Sequence, residues 1–118
     1  MSVVISGTGL FTPSEYITNE ELVESFNEYA AKFNEDNKEL IAKGDLEALV
    51  PSSSEFIKKA SGIEQRFVQD KQGILDINRM RPKLNARPNS QISILAEMAI
   101  KASKEAMNQA EVDASDID

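Results

Sequence analysis

The chain has 118 residues and a formal net charge of −7, with 41% apolar and 28% charged residues. Its size suits one domain or a piece of a larger one, its composition is that of an ordinary folded protein, and its acidity works against nucleic acid or anionic membrane as a partner. It contains no Cys and no His, so by itself it holds no thiol nucleophile, no Ser–His–Asp triad, no usual zinc site and no disulfide.

A carboxylate-only or lysine-based enzyme is left open, with nothing in the spacing to pick one out; no metal or cofactor is expected, and the simplest placement is cytoplasmic. No apolar run approaches the roughly 20 residues of a membrane span, and the first residues lack the basic start of a signal peptide.

Val3, Val4 and Ile5 are contiguous and β-branched, which predicts a buried strand starting at once. Gly7-Thr8-Gly9 is expected to bend or end it, and Thr12-Pro13 keeps a helix from starting early. Thr18 with Glu21 three residues on forms a capping box. The helix it opens should bury Leu22, Phe26, Tyr29 (or Ala30) and Phe33 on one face and run to about residues 34–37. A second helical stretch, 38–43, ends near Gly44. Residues 45–49 read as a short helical turn closed by Val50-Pro51.

Ser52-Ser53-Ser54-Glu55 is a second capping box, opening a helix through Ala60 with Gly62 as its C-cap. Residues 63–68 alternate partly and predict a strand. Residues 69–88 are irregular, with a short helix expected at 76–80. A long helix is expected from Asn89-Ser90 to Ala110, with an Ala-rich face that lets another backbone approach closely. The polar turn 113–118 is of the kind that precedes a strand. A βαβ unit needs a parallel strand after its crossover helix. The chain thus reads as the opening of a larger α/β domain, cut before its next strand.

The glycine pair invites a phosphate-loop reading, but such a loop needs a helix directly after the turn. Here Pro13 and a polar segment intervene, with no third glycine at dinucleotide spacing and no Gly-Lys-Ser/Thr. Gly7 and Gly9 are expected to be structural, letting the backbone pass close under its neighbours. The basic run Arg79, Arg81, Lys83 and Arg87 either docks an acidic or phosphate-bearing partner or is a solvated, charge-balanced loop; the second reading is preferred. Glu20, Glu21, Glu24 and Glu28 complement the start of their helix and need no ligand. Phe26, Tyr29 and Phe33 read as core.

Three blocks in order give the chain a resemblance. The opening strand–GTG–x–x–x–P followed by Thr18-Asn19-x-x-Leu22, then Ser53-Ser54-Glu55-Phe56-Ile57 with Ser61-Gly62-Ile63 and Arg66, then the 90–110 helix with Glu111-Val112 and Asp116-Ile117, resemble β-ketoacyl-acyl-carrier-protein synthase III of the thiolase-like superfamily. The resemblance implies a fold of duplicated βαβαβ halves, of which this chain is a helix-rich, incomplete N-terminal half. It also implies an acyltransferase that moves an acyl group from acyl-CoA to a Cys and condenses it with malonyl-acyl-carrier protein in fatty-acid synthesis. The implied partners are acyl-CoA, malonyl-carrier protein and a second copy of the chain. The implied catalytic Cys, His and Asn lie beyond these residues, so the chain alone would be inactive.

Two substrate positions fall within it by the same resemblance. The hydroxyl that helps hold CoA maps onto Ser52 and the aromatic that clasps the adenine onto Phe56, where most relatives carry Trp. The arginine position carries Ala60, which puts the usual clasp in doubt, and Lys58 or Lys59 is the available replacement. The competing reading of Phe56 is a core residue one turn inside its helix. Residues 28–50 and 72–87 are longer than in compact members and read as insertions, the first as a cap for the acyl side or a partner contact. Two alternatives stand beside this reading: another thiolase-like Claisen-condensing enzyme, such as a hydroxymethylglutaryl-CoA synthase relative, and a non-catalytic acidic helical interaction module.

Overall fold

Thr18 ends a strand and caps a helix. In the computed structural model, which describes residues 2–117, β1 (Glu15–Thr18) runs straight into α1 (Asn19–Asp36). The expected capping box is complete: the Thr18 hydroxyl accepts from the Glu21 amide at 3.2 Å, and the Glu21 carboxylate accepts from the Thr18 amide at 3.0 Å. α2 (Lys38–Lys43) follows and ends on Gly44 at φ +80°, a left-handed position that glycine adopts without strain. α3 (Ser54–Ser61) ends likewise on Gly62 at φ +73°. β2 (Gln65–Val68) then pairs antiparallel with β1, Ile17 opposite Arg66 and Tyr16 opposite Phe67. α4 (Lys71–Leu75), α5 (Ile94–Ala110) and a 3-10 turn (Ala114–Asp116) complete the order. Helices with one two-stranded antiparallel sheet make this an α/β chain of the helix-rich kind expected.

The chain divides into two compact units: Pro13–Leu84, and Met1–Thr12 with Asn85–Asp118. In the first, Ile17 and Ala30 are the fully buried apolar residues. Around them α1 is fastened by polar bonds as much as by packing. Asn19, 3% exposed, donates its side-chain amide to the Ile63 carbonyl at 2.6 Å and accepts from the Arg66 guanidinium at 3.2 Å; its backbone N–H reaches the Glu64 carbonyl at 3.0 Å. The buried Ser25 hydroxyl donates to the Leu75 carbonyl at 2.8 Å. Leu22, Phe26, Tyr29 and Phe33, expected as the buried face, are only half-buried.

Several local expectations are corrected here. The second capping box does not form: Ser53, not Ser52, is the N-cap and accepts from the Phe56 amide. Glu55 is thus one residue short of the position that reaches back. Residues 45–49 are not helical; both backbone groups of Leu49 bond instead to the Asn34 side chain of α1. The short helix at 76–80 is displaced to Lys71–Leu75, where Asp70 caps it by accepting from the Gly73 amide at 3.3 Å.

In the second unit, Ser93 caps α5 by accepting from the Ala96 amide, four residues later than expected. Arg87 braces that start through an ion pair with Glu97 at 2.8 Å and a bond to the Ile92 carbonyl at 3.0 Å. The strand expected at Val3–Ile5 has no ladder among the described residues, and its side chains are exposed, Val3 at 96%. β-branched residues favour extended backbone but form a strand only with a partner for their amides.

The segment after it finds side-chain partners on α5 instead. The Thr8 amide donates to Gln109 Oε1 at 2.6 Å and the Leu10 amide to Glu105 Oε2 at 2.9 Å. Gly7 and Gly9 make this possible: a Cβ on Gly7 would stand 2.9 Å from the Ala110 nitrogen, and one on Gly9 2.7 Å from the Ala106 nitrogen. Neither glycine has positive φ, so close approach rather than a tight turn is their role.

Candidate functional site

Two residues singled out by sequence, Ser52 and Phe56, stand on one groove of the Pro13–Leu84 unit. Phe26, Val50, Pro51, Ser52, Ser53 and Phe56 line an open depression of about 640 Å³. Phe26 and Ser52 also border a neighbouring apolar hollow of about 360 Å³ reaching Leu22, Ile57, Ile74 and Met80.

The local sequence explains the placement. Pro51 disfavours helical backbone at Val50, and the next helix opens only at Ser53, which is extended and caps α3. One turn into α3, Phe56 points outward and is 66% exposed. Within these residues Phe56 is therefore not part of a core. An exposed aromatic face beside an apolar wall can stack a planar ring and shield one side of it from water.

Ser53 and Ser52 differ in how they are engaged. The Ser53 hydroxyl is occupied in capping. At Ser52 the backbone is held: its N–H donates to Asn27 Oδ1 at 2.8 Å and its carbonyl accepts from Asn27 Nδ2 at 3.0 Å. The residue itself lines the groove.

The candidate replacements for the missing arginine separate clearly. Lys58 is paired with Glu64 at 2.5 Å; that bond holds the Lys58 ammonium above its ordinary pKa and the Glu64 carboxyl below its own. Lys59, three residues from Phe56 along the helix and exposed, makes no ion pair among the described residues and lies on the neighbouring face. Within the basic run, the Arg79 side chain donates to the carbonyls of Arg81 and Pro82, and the Lys83 backbone amide donates to Asp70. No group of acidic residues suited to a metal ion occurs among the described residues. Nor is any described helix long and apolar enough to cross a membrane.

With the groove in view, comparison with known proteins is direct. The chain is 54% identical over 96 residues to beta-ketodecanoyl-[acyl-carrier-protein] synthase of Pseudomonas aeruginosa, a match that takes in 81% of this chain. The resemblance to the β-ketoacyl-acyl-carrier-protein synthases is borne out. The chain spans 27% of the length of that relative. No family model matches the chain.

The sequence reasoning missed Asn27 and Asn34, which shape the groove from α1. The available signal was two asparagines, poor helix formers, seven residues apart inside a strong helix.

Proposed function

We propose that the protein is a β-ketoacyl-acyl-carrier-protein synthase III-like acyltransferase of thiolase-like fold, acting as a cytoplasmic homodimer in fatty-acid synthesis. It condenses an acyl-CoA primer with malonyl-acyl-carrier protein. The observation that carries this is the 54% identity to a carrier-protein-dependent synthase, together with a groove where Ser52 and Phe56 meet. The thiolate that attacks the primer's thioester, releasing CoA, and the groups that stabilise the enolate formed when malonate loses carbon dioxide come from outside these residues, which contain no Cys or His. Residues 1–118 contribute the CoA end: Phe56 stacks on the adenine, the Ser52 hydroxyl bonds to the nucleotide, and Lys59 supplies the charge that Ala60 lacks. Residues 28–50 and 72–87 are insertions relative to compact members.

A β-ketodecanoyl product, named for the Pseudomonas relative, has ten carbons. Two come from the malonyl unit, so the primer is octanoyl-CoA. The intact protein should be offered acetyl- to dodecanoyl-CoA with malonyl-carrier protein and the products weighed by mass spectrometry. A β-ketodecanoyl-carrier protein as the main product is the expected result. No condensation product from any primer would overturn the assignment.

A further inference from the structure

Asn27 and Asn34 treat the chain opposite them as a β-strand would. Each side-chain amide is a peptide-like donor–acceptor pair, and each is matched to both backbone groups of one residue. Asn27 takes the Ser52 N–H at 2.8 Å and gives to the Ser52 carbonyl at 3.0 Å; Asn34 takes the Leu49 N–H at 2.8 Å and gives to the Leu49 carbonyl at 2.9 Å. The spacings agree. Seven helical residues rise about 10.5 Å, and three extended residues cover about 10 Å. The two asparagines therefore fit a straight segment running antiparallel to α1, and Val50 and Pro51 span the gap between the clasps. Pro51 has no N–H to leave unpaired.

What the clasps hold is the wall of the groove. Val50, Pro51 and Ser52 line it, and Ser53 next along caps the helix that carries Phe56. The segment has little packing to keep it there: Val50 is 78% exposed, and Leu49 and Ser52 are half-buried. Unclasped, residues 44–52 would be a loop that a ligand must order on binding, and ordering lowers affinity.

We propose that Asn27 and Asn34 are positioning residues for the CoA-binding groove, fixing residues 49–52 before ligand arrives; this rests on the function proposed above. Their role is pre-organisation rather than fold stability.

The test uses Asn27→Asp and Asn34→Asp in the intact protein. Each keeps an acceptor for the backbone N–H but loses the donor to the carbonyl, at almost unchanged volume. Coenzyme A is titrated by calorimetry, beside Ser52→Ala and Phe56→Ala, with melting temperatures and amide exchange at residues 49 and 52. The expected result is about tenfold weaker binding and faster exchange at the residue whose carbonyl is released, as the half-held segment loosens, with melting unchanged, and a raised KM for acyl-CoA with kcat nearly constant. If Phe56→Ala weakens binding while both Asp variants bind as wild type, the positioning role is overturned and the groove assignment stands. Should the Asp variants lose binding only alongside a large fall in melting temperature, the role is structural and the proposal fails. If Phe56→Ala and Ser52→Ala both bind coenzyme A normally, the groove assignment itself is wrong, and the proposal falls with it.

Discussion

Gly9 lies directly against Ala102: a side-chain carbon on Gly9 would collide with the Ala102 carbonyl and stand 2.7 Å from the Ala106 nitrogen. Both obstructing groups are helix backbone, which cannot swing aside. The Ala face of α5 and the missing Cβ at Gly9 are thus two halves of one contact, sealed by the Thr8 and Leu10 amides on Gln109 and Glu105. Gly9→Ala should destabilise the protein by about 1–3 kcal/mol through overpacking. Gly44→Ala, whose added carbon meets nothing within 4 Å but sits at φ +80°, should cost about 1 kcal/mol of backbone strain. Denaturant melts of the two variants check this, and a Gly9→Ala protein as stable as wild type would contradict the close approach.

Asn19 and Arg66 form the other relationship on which a fold prediction rests. Arg66 Nη1 is buried without a partner among the described residues, and Asn19 Oδ1 is what its Nη2 has. Truncation by Asn19→Ala would strand the guanidinium and also leave the Ile63 carbonyl without its donor. Losses of this kind run to about 1–3 kcal/mol for each unsatisfied group, so the variant should lose about 3 kcal/mol. Asn19→Asp restores an acceptor for Arg66 but not the donor to Ile63, and should fall between wild type and Asn19→Ala. Chemical denaturation of the three proteins gives the ranking; a harmless Asn19→Ala would mean that water replaces the network at no cost.

How far these features were legible depends on the distance between partners. Thr18 with Glu21, and Gly44 and Gly62 as caps, are local rules that span three or four residues, and they hold in the structure. The strand Glu15–Thr18 was missed because its apolar content is two residues, and its definition comes from pairing with Gln65–Val68. The strand expected at Val3–Ile5 shows the converse: strong propensity with no ladder among the described residues. The Ala-rich face of α5 announced that a backbone would approach, but nothing local says that residues 7–10 are the ones. At the groove, Ser52 and Phe56 were readable only through motif resemblance. Its far wall is set by asparagines whose partners lie 25 and 15 residues away, beyond the reach of any periodicity.

Asp70 supplies the pH-dependent prediction. Its carboxylate accepts from the Lys83 amide, and secondarily from the Gly73 amide, with Arg79 nearby; the bond from Lys83 is the main reason its pKa is held below the ordinary 3.8, against a smaller opposing effect of burial. The charged form is therefore the one the fold prefers. Stability from this contact is fully present above the ordinary carboxylate value and is lost as pH falls through the lower folded value. Segment 79–84 should loosen from α4 in that acid range, seen as faster amide exchange at Lys83 and Gly73. Glu21, Glu64 and Glu97 are shifted the same way by Lys71, Lys58 and Lys101, so a bulk acid melt cannot isolate Asp70. Asp70→Asn does: its amide oxygen can serve only one of the two N–H donors, and it does not titrate. The variant should show faster exchange at one of those amides at neutral pH, with no further acid dependence there, whereas an Asp70→Asn protein that still loosens this segment on acidification would place the titrating group elsewhere.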